Sequence, residues 1–396
     1  MWAGLVHSAG PSRPNKVHHD MSSKPLRPRA EWQEQLAQGV RDVRAIPGLS
    51  DEQYARLEAI AKEYPFFTTP YYLGLIEKMD PSDPIFLQQM PDVREFENPN
   101  FLEDDPLDEE DDMPVRHLTH RYPDRVLFVV THTCAMYCRF CTRKRKVGKN
   151  PVPPPEELQA VIDYIAEHSE IRDVLLSGGD PLTLTDGALE WIISSLHEIP
   201  HVDLIRMGTK IPCVNPERVT TKLCEMLARY QPFYVNTHFN HPRELTPEAR
   251  AACARLIDHG VPVGCQTVLL RGVNDDPEVM KQLMHELLKA RVKPYYIYQA
   301  DLVKGTDYFR TSVQKGLEIM EALQGHTTGF GVPQYIIDAP GGGGKIPVSP
   351  GRIVELTDEK IVLRNYEGNV YEYPASGYSG DVTPGTISDY FPEFKE

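Results

Sequence analysis

From Val126 onward the chain repeats one unit, a short apolar and β-branched run followed by a stretch of helical periodicity. Candidate strands begin near Val126, Asp173, Asp203, Phe233, Val263 and Pro294, and after the first interval they recur about every thirty residues. Segments 154–171, 186–199, 216–230, 246–259, 276–292 and 312–323 carry the helical pattern. Six βα units in succession predict an α/β fold with a parallel sheet, doubly wound or curled into a partial barrel. In either architecture chemistry belongs at the carboxyl ends of the strands.

The unusual residues fall at those ends. The first strand runs into a cysteine-bearing loop, the second into Ser177-Gly178-Gly179-Asp180, the fourth into Thr237-His238-Phe239-Asn240-His241 and the sixth into Tyr298-Gln299-Ala300-Asp301. A further strand near 334–337 ends in Asp338 and the run Gly341-Gly342-Gly343-Gly344-Lys345.

Outside this region the pattern is weaker. Residues 51–64 read as a short amphipathic helix with Ser50 as its N-cap, part of an N-terminal extension with a loose tip. Segment 103–112 holds eight carboxylates in ten positions, and such a run is expected to repel itself into a solvated linker. The tail after the glycines shows no sustained periodicity. The expected division is 1–115 as N-terminal helical extension with acidic linker, 116–332 as the core, and 333–396 as the Lys345 segment and tail.

Charge and cysteine usage narrow the function. A net charge of -15 repels nucleic acid and anionic membrane surfaces, so neither is an expected partner. No apolar run approaches the roughly 18 residues of a membrane span, and no basic segment precedes the short apolar patch at the N-terminus as in a secretory signal. Three of the seven cysteines lie within residues 134–141, which suits metal ligation in a reducing, cytoplasmic setting better than a disulfide framework.

Those three, Cys134-Ala-Met-Tyr-Cys138-Arg-Phe-Cys141, are the strongest single signal. Three thiolates hold three irons of a [4Fe-4S] cubane and leave the fourth open to a chelating ligand. Tetrahedral zinc is the alternative, but it usually takes paired Cys-x-x-Cys ligands and a fourth donor, and no fourth cysteine is near. The spacing resembles that of the radical S-adenosylmethionine (SAM) superfamily. The likeness narrows to the lysine 2,3-aminomutase family through His120-Arg121-Tyr122-Pro123-Asp124-Arg125, Asn236-Thr237-His238-Phe239-Asn240-His241-Pro242 and Asp338-Ala339-Pro340 leading to Lys345, and it runs from about residue 50 to about 372.

The resemblance implies a (βα)6 partial TIM-type barrel, a radical SAM core whose C-terminal tail lies over the open mouth, and a 1,2-amino shift interconverting L-lysine and β-lysine. It implies Ser177, Gly178, Gly179, Asp180, His238 and Gln266 around SAM. Lys345 would carry pyridoxal 5′-phosphate (PLP), with Arg121 and Arg125 on its phosphate and Tyr122 near its ring. Arg143 would receive the substrate carboxylate, and Asp301 and Asp338 its distal ammonium. A P-loop around Lys345 fails, because Ala339 and Ile346 stand where that motif needs Gly and Ser or Thr. A small amino acid is the implied substrate, a flavodoxin or ferredoxin the kind of electron donor, and a homo-oligomer the expected assembly.

One departure stands out. Zinc-bearing members have a cysteine after the Gly-Val-Asn-Asp segment and more in the tail, whereas here Asp276 follows Asp275 and no cysteine lies beyond Cys265. No structural zinc is expected, and the tetramer arrangement that goes with it loses its support. Cys213, Cys224, Cys253 and Cys265 read as packing residues. Three rivals stay open: an arginine or ornithine aminomutase, a β-lysine-forming enzyme for translation-factor modification, and an iron–sulfur electron carrier without PLP.

Overall fold

One nine-stranded sheet, in the order β1 to β9, organises the chain. The computed structural model describes residues 30–46, 48–149 and 152–377, so the expected loose tip at the N-terminus lies outside it. The strands are β1 (Leu118–Tyr122), β2 (Arg125–Thr131), β3 (Asp173–Gly178), β4 (Leu204–Gly208), β5 (Phe233–Thr237), β6 (Val263–Leu269), β7 (Lys293–Gln299), β8 (Gln334–Ala339) and β9 (Gly344–Val348). Neighbours from β2 to β8 pair in parallel, and β1 and β9 close the two edges as antiparallel hairpins.

Side-chain alternation turns this sheet into a container. In β3, β4 and β6 fully buried positions alternate with half-buried ones. Val174, Leu176, Ile205 and Met207 share one core with Leu189, Ile192, Ile193 and Leu196 of the helix Asp186–His197. Those four helical residues follow the spacing of one helix face, and burying each such side chain contributes roughly 1.5–3 kcal/mol. The opposite face, with Ser177, Arg206, Gln266, Tyr296 and Tyr298, is only partly buried and lines a lumen. This is an open α/β barrel, one of the two architectures the repeat allows and the one the family resemblance implies, with β8 as a seventh parallel strand.

The two edges meet across a seam. The backbone N–H of Lys345, on β9, donates to the Tyr122 hydroxyl on β1 at 3.0 Å, although the residues stand at opposite ends of the sheet order. β8 and β9, in the segment expected from 333 onward, therefore complete the same sheet as the core.

The N-terminal extension packs behind the cysteine loop. Helix Asp51–Glu63 starts at Ser50 with a full capping box, in which the Ser50 hydroxyl accepts from Gln53 N and the Gln53 side chain accepts from Ser50 N. Further on, Tyr137 N donates to Phe67 O at 2.9 Å and Arg139 N to Gln88 O at 3.0 Å. Arg139 and Lys144 are both buried on Glu95, at 2.6 and 2.7 Å.

Two expectations are corrected. Residues 353–374 are not patternless: β10 (Ile353–Leu356), β11 (Lys360–Arg364) and β12 (Val370–Pro374) form a separate antiparallel sheet. It lies away from the barrel mouth. Its loop residue Tyr366 packs edge-on against His326, just past helix Val313–Leu323, and a helix following a barrel strand ends at the strands' N-terminal side. Nor is segment 103–112 a solvated linker. It crosses the mouth, pairing Glu103 with Val303 and receiving a hydrogen bond from Gly341 N on Pro106 O at 3.1 Å.

Candidate active site

Strand ends β2 and β3 are fastened before any ligand is considered. Gly179 N donates to Thr131 O at 2.6 Å and Asp180 N to Thr133 O at 2.7 Å. A side chain on Gly178 would stand 2.1 Å from Thr131 O, and one on Gly179 2.3 Å from Thr133 O, so both positions require glycine for backbone approach alone. Asp180 is likewise engaged by protein. Its carboxylate accepts from Leu182 N, Thr209 Oγ1 and Lys210 N, and burial raises its pKa to about 6. Asp180 thereby ties the end of β3 to the end of β4.

The three expected cluster thiols sit on the loop after β2, none in a disulfide. Burial raises all three thiols, Cys138 to about 12, and repulsion from the neighbouring thiols adds to the rise at Cys134 and Cys138. Among the described residues no three His, Cys, Asp or Glu side chains converge on a single metal ion. A cubane asks for something else, one iron per thiolate, and three free thiols on one loop are a donor set of that kind. The other four cysteines are buried, as packing residues are.

His238 is half-buried, its pKa pushed down to about 3 by burial and Lys210, with Nε2 3.1 Å from Asn240 Oδ1. Gln266 is half-buried on the lumen side of β6. Lys210, which sequence reading passed over, is buried beside them and donates to His238 O and to Glu244, both at 3.1 Å.

Across the seam a second cluster assembles from five strands, β7, β8 and β9 on one side and β1 and β2 on the other. Lys345 Nζ sits 2.8 and 2.9 Å from the two oxygens of Asp338, its direct partner across the β8–β9 pair. The same ammonium lies 5.2 Å over the Tyr298 ring. Arg125 stacks on Tyr122 at 3.8 Å. Gly341, Gly342 and Gly344 have φ of 65°, 74° and 78°, which bring the loop in close: a side chain on Gly344 would stand 3.0 Å from the Tyr122 hydroxyl. An amine beside two guanidiniums and a phenol suits an aldehyde-bearing phosphate ester.

Asp301 completes the pocket wall. Thr142 Oγ1 donates to its Oδ2 at 2.6 Å, while burial and then Asp338 raise its pKa to about 6. Two carboxylates facing one partly dry pocket favour a cation between them.

Arg143 and Arg121 point into this region but are each held by the acidic segment. Glu109 takes Arg143 through two hydrogen bonds, at 2.5 and 3.0 Å, and Asp112 takes Arg121 at 2.5 Å. Arg145 and Lys146 pair with Asp105 and Glu110. Asp105, Glu109 and Glu110 of the acidic segment thus answer Arg143, Arg145 and Lys146, and the complementarity of the two charge runs was the available signal for Glu109. Thr142 and Tyr298 carried no such signal. A cavity of about 740 Å³ lies elsewhere, between Val263, Leu288, Lys293 and Phe330 at the strands' N-terminal ends, away from these groups.

Comparison with known proteins places the chain. Residues 128–284 match the radical SAM superfamily and residues 320–396 match the family described as lysine-2,3-aminomutase. The L-lysine 2,3-aminomutase of Methanococcus maripaludis is 49% identical over 88% of this chain and 83% of its own length. That of Bacillus subtilis is 45% identical over 92% and 78%. A glutamate 2,3-aminomutase of Clostridioides difficile is 47% identical over 86% and 81%.

Proposed function

The chain belongs to the lysine 2,3-aminomutase family of radical SAM enzymes, and we propose that it interconverts L-lysine and β-lysine by a 1,2-amino shift. Overall identity does not choose the substrate, since lysine and glutamate aminomutases resemble the chain about equally. The observation that carries lysine is the pair Asp301 and Asp338 beside the Tyr298 face. A distal ammonium satisfies both carboxylates and the ring. A glutamate side chain would add a third carboxylate, at about 4 kcal/mol for each close like-charge contact at the effective dielectric of a protein surface.

Membership of the radical SAM superfamily brings a [4Fe-4S] cluster and SAM; PLP is our proposal. Cys134, Cys138 and Cys141 would hold the cluster, and the strand ends with Ser177, Gly178, Gly179, His238 and Gln266 would receive SAM. Lys345 would carry PLP with Arg121, Tyr122 and Arg125. When bound, cluster and SAM supply a hydrogen-abstracting radical, and PLP supplies the π-system that spreads the spin during nitrogen migration.

The chain's own side chains do the rest. Arg143 forks the α-carboxylate, Asp301 and Asp338 fix the other end of the substrate, and the distance between these groups measures its length. Asp338 pairs with the Lys345 ammonium, and a substrate ammonium would take the same place. Segment 103–112 covers the mouth and keeps bulk water from the reacting carbons. A reducing electron donor of the flavodoxin or ferredoxin kind is required.

The test is an anaerobic assay of reconstituted enzyme with lysine, arginine, ornithine and glutamate, paired with borohydride trapping. Lysine should turn over fastest and the trapped label should map to Lys345. Faster turnover of arginine or glutamate overturns the substrate, and a label elsewhere overturns the lysine assignment.

A further inference from the structure

A guanidinium has two edges that can each fork a carboxylate, the Nε–Nη2 side and the Nη1–Nη2 end. In Arg143 the side edge is taken: Nε donates to Glu109 Oε2 at 3.0 Å and Nη2 to Oε1 at 2.5 Å. Nη1 stands 3.4 Å from Ser177 Oγ, on the lumen face of β3. Glu109 therefore grips the guanidinium from outside and turns its end toward the lumen. Arg121 is held in the same manner, with Nε on Asp112 and Nη2 on Leu107 O.

The grip is anchored. Glu109 is buried and its carboxyl is held below the usual carboxylate range, burial being outweighed by Arg143, Arg145 and Lys146. Its segment is fastened at three places: Glu103 N on Leu302 O at 2.9 Å, Lys304 N on Glu103 O at 3.0 Å, and Gly341 N on Pro106 O at 3.1 Å. Long arginine side chains lose orientation unless a second group fixes them, and a fork misplaced by an ångström forfeits much of its recognition.

We propose that Glu109 is the positioning residue for Arg143, holding the Nε–Nη2 edge so that the Nη1–Nη2 end is presented to the substrate's α-carboxylate. This rests on Arg143 being the carboxylate site. The rival role, in which Glu109 competes with substrate for Arg143, would place its oxygens on the end edge rather than the side.

The experiment compares Glu109→Gln, Glu109→Asp and Arg143→Gln in holoenzyme, against lysine and against 1,5-diaminopentane, a lysine without its carboxylate, as competitive inhibitor. Cluster absorbance and PLP content check folding. Glu109→Gln keeps the shape but forces an amide N–H toward a guanidinium N–H, so KM for lysine should rise about ten- to a hundredfold, with kcat within about threefold. Inhibition by diaminopentane should stay unchanged. Glu109→Asp keeps the charge one methylene short and should fall between.

A lower KM in Glu109→Gln makes Glu109 a competitor and overturns the proposal. Equal losses for lysine and diaminopentane, or no change in either, overturn it too. If Arg143→Gln leaves the preference for lysine over diaminopentane intact, the carboxylate reading of Arg143 fails. If Arg143→Gln erases that preference while Glu109→Gln and Glu109→Asp do not, only the positioning role fails.

Discussion

Replacing Asp301 by Asn removes one charge from the substrate pocket while keeping its shape, and Thr142 Oγ1 retains an acceptor at the position it now donates to. A hydrogen bond between charged partners in a partly buried site contributes about 1.5–3 kcal/mol, so KM for lysine should rise roughly ten- to a hundred-and-fiftyfold. The pH profile adds a second reading. Burial, reinforced by Asp338, holds Asp301 at a pKa of about 6, so a growing fraction of free enzyme loses this charge as pH falls below that value. The parent enzyme should then show kcat/KM for lysine dropping about tenfold per pH unit below 6, a limb that Asp301→Asn abolishes. Stability moves the other way. A carboxyl raised above its unfolded value near 4 costs the fold when ionised, and protonation recovers that cost as pH falls through about 6. Asp301→Asn should therefore unfold no earlier than the parent at pH 7.5, which separates lost binding from lost structure. Steady-state kinetics between pH 5 and 8, with thermal melts at both ends, measure all three quantities. An acid limb that persists in Asp301→Asn, or an unchanged KM, would refute the reasoning.

Three further outcomes are expected. Cys138→Ala should abolish both the iron–sulfur absorbance and SAM cleavage, whereas Cys265→Ser should retain them; SAM cleavage surviving in Cys138→Ala rules out the cluster loop. Metal analysis of purified protein should find iron without stoichiometric zinc, because Asp276 and a tail without cysteine remove those ligands; one tightly held zinc per chain would contradict it. Glu95→Gln leaves Arg139 and Lys144 buried with one carboxylate too few, and should cost about 3–5 kcal/mol in denaturant unfolding; a loss below about 1 kcal/mol would mean that water reaches the site.

Much of the barrel was legible because its strands are buried under helices. That burial demands β-branched runs such as Val126–Val130 and spaced apolar residues such as Leu189, Ile192, Ile193 and Leu196, and both patterns survive in a linear reading. β10 and β12 are exposed along their whole length, so no alternation of polarity marks them. β1 was visible only as a motif, its positions half-buried after Leu118. Site residues at strand ends could be read from their unusual types. Glu109 could not be read that way, since a carboxylate run in isolation repels itself, and only the facing basic residues reverse that sign. The turn-building role of Asp180 depends on Thr209 and Lys210, which no spacing within its own motif announces.

The Tyr122–Lys345 contact has a consequence for how the protein is made. Its partners are 223 residues apart, and closing that span costs about 2 kcal/mol more chain entropy than closing a thirty-residue βα unit. A chain leaving the ribosome exposes its cysteine loop, its glycine strand end and most of its barrel long before β9 exists. The seam is thus the late event of assembly, and the lysine arrives with it. On the proposed assignments, the cluster thiols would be made about two hundred residues before Lys345, so the reactive half of the site would precede the half that restrains it.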